Sequence, residues 1–214
     1  MTDFAQRRSE LEEALVSLDQ LAAKRILTED IGESSPIQLV DELVVPVLEQ
    51  IGLKWEQGAV ALAQVYMSGR ISEALVDSIL PLADPNRKRH PLTAIAVLED
   101  HHNLGKRIVL SALRAGGFDL LDYGHGVKVD DLVARVKNDN IKVLLISTLM
   151  LPSALKVKNL REKLDSSKTD VRIVVGGAPF LFDDQFWKEV GADAMGRNAS
   201  EAVSLVARMV GGIG

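Results

Sequence analysis

The sequence predicts an α/β chain: an N-terminal helical bundle followed by a flavodoxin-like (Rossmann-type) domain with a five-stranded parallel sheet. Three observations predict it. Before residue 81, apolar residues recur every three or four positions. After residue 91, short continuous apolar runs alternate with helical stretches. Between the two, Pro81, Pro85 and Pro91 punctuate a polar, basic segment. Continuous apolar runs separated by helices are the pattern of parallel strands buried on both faces. The boundaries expected are a helical unit over 1–83, a linker over 84–91 and the sheet domain over 92–214. At 47% hydrophobic but only 4% aromatic, the chain has an aliphatic core.

In the helical unit, Leu11, Leu15, Leu18 and Leu21 follow a helical period, as do Leu39, Leu43, Val44, Val47, Leu48 and Ile51. Ser34-Ser35-Pro36 supplies a start signal for the second run, and Gly52 sits where it should end. A third stretch runs from about Val60 to Pro81, and Gly69 within it marks a close contact or a break. The unit reads as three or four helices. The linker, with three basic residues and His90, reads as a solvated tether. Strands are expected over 93–98, 118–121, 143–146 and 171–175, with a weaker fifth near 192–195. Helices are expected over 106–115, 129–137, 154–164, 184–190 and 200–210.

Composition excludes several classes of function. With no cysteine there is no disulfide, thiolate metal site or thiol nucleophile. A net charge of −5 argues against a nucleic-acid surface. The N-terminus lacks an apolar signal core, and no run approaches the roughly 20 apolar residues of a membrane span. A soluble, cytoplasmic protein without membrane or nucleic-acid partners is expected.

Ligands of such folds bind at the carboxyl ends of the strands. The run Asp100-His101-His102-Asn103-Leu104-Gly105 falls after the first strand, Tyr123-Gly124-His125-Gly126 after the second, and Ser147-Thr148-Leu149 with Pro152-Ser153 after the third. Gly176-Gly177 follows the fourth strand and Gly196-Arg197-Asn198 the fifth. A phosphate-binding lysine loop and the G-x-G-x-x-G dinucleotide fingerprint are both missing from these loops. A carboxylate beside an imidazole suits a metal ligand or a base. A metal-bound imidazole coordinates through one nitrogen and needs its other N–H held, which a carboxylate does while fixing the tautomer. The acidic pair Asp183-Asp184 reads as a helix cap.

Asp100-x-His102-x-x-Gly105, Ser147-x-Leu149 and Gly176-Gly177, in this order, resemble the cobalamin-binding module of methionine synthase and the corrinoid methyl-carrier proteins of anaerobic methyltransferase systems. The stretch from Pro46 to Gly52, through Gly58 and Leu62-Ala63-Gln64, is similar to their helical cap. The resemblance implies a bound cobalamin, methylcobalamin in the loaded state, with His102 as lower axial cobalt ligand in place of the cofactor's own base. It implies Asp100 as the partner of that histidine and Ser153 as a third member of the relay. Leu104, Gly105, Ser147, Leu149, Gly176 and Gly177 would line the slot for the displaced nucleotide tail. Two departures stand out: His101 occupies a usually aliphatic position, and Ala59-Val60-Ala61 stands where methionine synthase presents an aromatic, which leaves Tyr66, Met67 or Ile71 to cover the upper face.

The function so implied is a non-catalytic corrinoid subunit. It would carry a methyl group between a substrate methyltransferase and a second one acting on tetrahydrofolate or a thiol coenzyme, with a reductive reactivase as a further partner. Partners are needed because the chain lacks barrel domains of about 250 residues that would perform the transfers. The alternative is a cobalamin-dependent regulator or light sensor, which would need a basic helix-turn-helix that the segment up to Glu33 is too short to provide. Further rivals are the cofactor subunit of a carbon-skeleton mutase, which would normally lack a helical cap, and a flavodoxin-like domain without a corrinoid.

Overall fold

A computed structural model describes residues 4–29, 34–79 and 93–211. The chain divides into two compact units, Met1–Leu82 and Ala83–Gly214. The tether expected at 84–91, with His90, lies outside the described residues.

The first unit contains α1 (Phe4–Val16), α2 (Gln20–Thr28), α3 (Pro36–Leu39), a π-helical turn (Val40–Val44), α4 (Val45–Glu56) and α5 (Leu62–Ile79). Helix α1 buries Leu11, Ala14 and Leu15 on one stripe. The expected continuation through Leu18 and Leu21 does not hold. Leu18 takes φ +64°, Leu21 is 81% exposed, and the Asp19 carboxylate accepts the Ala22 amide to start α2 afresh. The cap thus ends the first period, and Ala23 and Leu27 supply the core face of α2 instead. Ser35 caps α3 by accepting the Gln38 amide, with Pro36 in the first turn, as the start signal predicts.

Pro46 explains the π turn that follows. Lacking an N–H, it leaves the Glu42 carbonyl without its helical donor. The Val45 amide reaches back five residues to Val40, and the Arg8 guanidinium of α1 donates to both the carbonyl and the carboxylate of Glu42. Two glycine expectations are corrected. The helix runs through Gly52 to Glu56, with the left-handed turn falling at Gly58 (φ +74°). Helix α5 runs unbroken through Gly69, where an added Cβ would meet nothing within 4 Å. Val47 and Ile51 of α4 face inward, and Ser68 of α5 donates to the Leu15 carbonyl at 3.1 Å. Ile71 is buried, Met67 is half-buried and Tyr66 is exposed.

The second unit is a parallel sheet of β1 (Thr93–Val97), β2 (Leu121–Asp122), β3 (Val143–Ser147), β4 (Arg172–Gly176) and β5 (Ala194–Gly196), ordered β2-β1-β3-β4-β5. This is the flavodoxin-like order. Helices α6 (Leu104–Ala115) and α11 (Ala199–Gly211) cover one face. Helices α7 (Val129–Asn138), α8 (Leu151–Ser166), α9 (Ala178–Phe182) and α10 (Phe186–Glu189) cover the other. Alternate strand residues divide between the faces. Ile95, Leu145 and Val174 meet Leu113 and Val206 on one side; Ala96, Leu144 and Ile173 meet Leu132, Val157 and Phe180 on the other. Each fully buried Leu, Ile or Val contributes roughly 1.5–3 kcal/mol against exposure, so both faces must be apolar and the strands read as unbroken runs.

The second strand is shorter and later than expected. Gly117 (φ +89°) closes α6 with the Phe118 amide bonded to the Leu113 carbonyl, and Phe118 and Leu120 pack into the core as an approach to β2. The helix expected over 184–190 is the short α10, and an unexpected helix, α9, precedes it directly after Gly177, with Phe180 stacked on Phe186 of α10 at 5.3 Å. Among the described residues, no helix is long and apolar enough to cross a membrane.

Candidate functional site

Strands β1 and β3 are neighbours whose following helices lie on opposite faces of the sheet, which opens a crevice at their carboxyl ends. The last row of the sheet is Val97, Ser147, Gly176 and Gly196, paired in register. The residues singled out in the sequence stand on this row or within a few residues beyond it.

Asp100 crosses the crevice. Its side chain is 1% exposed, and both oxygens are engaged. Oδ1 accepts the His102 amide at 3.0 Å and faces Nδ1 of the His102 ring at 2.6 Å. Oδ2 accepts the amides of Leu149 and Met150, at 2.9 and 3.0 Å, from the loop after β3. Burial alone would push this carboxyl up. The amides of His102 and Leu149, the His102 ring and the Met150 amide outweigh it and hold the pKa down to about 2. An ionised carboxylate can only accept, so the contact assigns a ring proton to Nδ1, which in the neutral ring leaves the lone pair on Nε2. The ring itself is 56% exposed, and among the described residues no group is hydrogen-bonded to Nε2. The arrangement is one imidazole, fixed in tautomer and orientation, offering Nε2 to a metal.

Neither the turn that presents this pair nor one of its anchors has a sequence signal. Glu99 takes φ +45°, a left-handed conformation costly for a residue with a Cβ, and swings the chain out of β1. The Met150 amide, the second anchor of Oδ2, could not be foreseen because any residue supplies one. The relay expected through Ser153 takes another form. Its hydroxyl, in the first turn of α8, donates to the Glu99 carbonyl at 3.0 Å, because both oxygens of Asp100 are already taken. Ser153 thus buttresses the strained residue before Asp100.

The glycines divide by role. A Cβ on Gly105, at the start of α6, would stand 3.3 Å from the Ser147 hydroxyl, so these two residues face each other across a narrow gap. A Cβ on Gly176 would lie 3.1 Å from the Gly196 carbonyl. Gly177 (φ +114°) passes so close to the Thr148 carbonyl that a Cβ would overlap it at 1.8 Å; glycine is needed there for two backbones to cross. Leu104 is half-buried and Leu149 is exposed at the rim. Asn103 Oδ1 and Thr148 Oγ1 are buried without a hydrogen-bond partner, which is unusual enough to need a cause.

Other residues settle into structural work. Asn198 and Glu201 cap α11, with Asn198 Oδ1 accepting the Glu201 amide and Glu201 accepting the Arg197 amide. Asp183 accepts the Gln185 amide just before α10. Trp55 and Trp187 are partly exposed.

Comparison with known proteins decides the family. Two family models, each described as a B12 binding domain, match residues 92–206 and 7–79. A monomethylamine corrinoid protein of Methanosarcina acetivorans is 33% identical over 180 residues, 80% of this chain and 82% of the relative. The chain belongs to the B12-binding corrinoid proteins. A dimethylamine corrinoid protein of Methanosarcina mazei is 28% identical over 95% of this chain and 96% of its own. The structure of the Methanosarcina barkeri monomethylamine corrinoid protein superposes with a TM-score of 0.82 at 28% identity, covering 92% of this chain and 95% of the other.

The cofactor of this family is a corrinoid, and the crevice fits one. A corrin brings four nitrogen ligands to its cobalt, so the protein needs to add one lone pair, as His102 can. Gly105 and Ser147 approach so closely that a Cβ on Gly105 would already crowd the Ser147 hydroxyl. The orphaned Asn103 and Thr148 atoms belong to the same two strand-end loops.

Proposed function

We propose that the chain binds its corrinoid with Nε2 of His102 as the lower axial ligand of cobalt, the cofactor's own base being displaced, and carries a methyl group between two methyltransferases. The Asp100–His102 pair carries this reading. Asp100 holds the proton at Nδ1, which keeps Nε2 free to coordinate and makes the imidazole a stronger donor. Leu104, Gly105, Ser147, Leu149, Gly176 and Gly177 form the walls around the displaced nucleotide tail. Bound corrinoid supplies a cobalt centre that takes up and releases the methyl group. The helical unit, residues 1–83, is the counterpart of the helical cap of such carriers. No residue of the chain is assigned a catalytic role.

The relatives are named for mono- and dimethylamine, which favours a methylated amine as the methyl source. They match this chain at similar identity, so the favoured substrate is the class rather than one amine. Loading and unloading fall to separate methyltransferases, and a reductive reactivase returns an oxidised cofactor to use.

Reconstitution of the apo-protein with hydroxocobalamin tests the ligand. The bound, oxidised cofactor of His102→Ala is expected to differ in absorption from that of the wild type. In the reduced paramagnetic state, 15N-labelled histidine is expected to alter the nitrogen hyperfine pattern of the wild type alone. An unchanged absorption spectrum in His102→Ala would overturn the assignment.

A further inference from the structure

His101 and His125 form a pair for which the corrinoid reading has no use. His101 lies in the loop between β1 and α6, and His125 in the loop between β2 and α7. Their Nδ1 atoms are 3.4 Å apart, their ring centroids 5.6 Å apart and their planes at 76°, and His101 is exposed. A separation of 3.4 Å is long for an N–H···N hydrogen bond. Two imidazole nitrogens held at about 2.0–2.1 Å by one tetrahedral cation stand about 3.3–3.4 Å apart.

The pair is also held in place before any cation arrives. The Gly126 amide donates to the Asp100 carbonyl at 2.7 Å, and the Gly124 carbonyl accepts the Val97 amide at 3.0 Å, so the backbone on either side of His125 is tied to the His101 loop and to the end of β1. Gly126 (φ +66°) passes directly beneath the His101 ring, where a Cβ would come 2.7 Å from Cε1. Glycine at that position lets the His101 ring stand beside His125. A chelate whose two ligands are already at the right spacing loses little conformational entropy on binding.

We propose that His101 and His125 form a two-imidazole site for a borderline divalent transition ion such as Zn2+ or Ni2+, bound through the two Nδ1 atoms with water completing the shell. Imidazole ligands suit such ions and discriminate against magnesium and calcium. The bound ion cross-links the β1–α6 and β2–α7 loops beside the crevice. The inference does not depend on His102 holding a corrinoid.

The test is a titration of the full-length apo-protein with Zn2+ against a chromophoric chelator. The wild type is expected to take up one Zn2+ per chain at micromolar free metal. His101→Ala and His125→Ala are each expected to lose at least tenfold in affinity, and His102→Ala is expected to keep it. His125→Gln, checked by circular dichroism, repeats the loss with a side chain nearer in size. No uptake by the wild type, or uptake lost in His102→Ala but kept in His125→Ala, would overturn the proposal. Cobalamin uptake by the same variants reads the corrinoid site separately, so the two readings fail independently.

Discussion

Replacing Asp100 by Asn is the sharpest perturbation of this site, because it keeps the shape and removes one acceptor. The carboxylate accepts four hydrogen bonds: the His102 amide and ring on Oδ1, and the Leu149 and Met150 amides on Oδ2. An amide has a single oxygen. Turned toward Leu149 and Met150, its NH2 meets the His102 amide as donor against donor. Turned the other way, it meets two donors. The first orientation is the less unfavourable, and in it the side chain donates to Nδ1 of His102. The ring proton must then move to Nε2, which removes the lone pair on offer to a metal.

The stability loss can be worked in two ways. A carboxyl whose pKa falls from 3.8 to about 2 on folding stabilises the fold by about 2 kcal/mol at neutral pH, at about 1.36 kcal/mol per tenfold change in acidity. Independently, leaving the His102 amide facing a donor costs roughly 1–3 kcal/mol, with part of the charge-assisted bonding lost as well. Both routes place Asp100→Asn about 2–4 kcal/mol below the wild-type apo-protein. The depressed carboxyl contributes fully above about pH 5, and its contribution is lost as pH falls through 3.8 toward 2. The gap between the two proteins in urea unfolding should therefore be constant from pH 7 to 5 and narrow below pH 4. 15N spectra of the imidazole should show the proton on Nδ1 in the wild type and on Nε2 in the variant. A gap under about 1 kcal/mol at pH 7, or a ring that keeps its Nδ1 proton in the variant, would refute the reasoning.

Three further outcomes follow from the same geometry. Gly177→Ala forces a Cβ into the Thr148 carbonyl at φ +114° and should cost about 3 kcal/mol or more, read as a lowered urea midpoint or loss of soluble protein; an unchanged midpoint counts against the close crossing. Gly105→Leu overpacks the contact with Ser147, where a Cβ alone would already come to 3.3 Å, and should cost the apo-protein roughly 1–3 kcal/mol, read as a lowered urea midpoint. Cobalamin affinity should also fall at least tenfold, and retained affinity would exclude Gly105 from the slot. Arg8→Met removes the donor to the carbonyl orphaned by Pro46 and should destabilise the helical unit by about 1 kcal/mol, measured by its thermal midpoint; no change would mean that water satisfies Glu42 equally well.

The parts of this molecule that could be read ahead are those where one physical requirement dominates. Strands β1, β3 and β4 are buried on both faces, so their apolar runs were unambiguous. Strand β2 has two residues, both exposed, and carries no such signal. Ser35-Pro36 announced a helix because a cap and a proline at the first turn act locally. Leu18 and Leu21 mimic a continuing period that Asp19 interrupts. At the site, the family resemblance singled out Asp100, His102 and Gly105, and the side chains of the first two do meet at 2.6 Å. Glu99 in a left-handed turn was not legible, nor was Lys106, buried to 3% and paired with Asp122. Both are tied to partners on other elements, Glu99 to Ser153 of α8 and Lys106 of α6 to Asp122 of β2.

The way Asp100 is bound also bears on how His102 could change its ligation. Three of the four hydrogen bonds to the carboxylate come from backbone amides, at His102, Leu149 and Met150, and only one comes from the imidazole. The loops after β1 and β3 are therefore stitched together whether or not the ring is in place. A ring that swings away gives up one short hydrogen bond and leaves the crevice standing, with Asp100 still ionised and ready to receive Nδ1–H again. If His102 ligates cobalt as proposed, ligand exchange there would in this way be separated from the stability of the fold. His102→Ala should accordingly destabilise the apo-protein by less than Asp100→Asn, although only His102 would touch the metal.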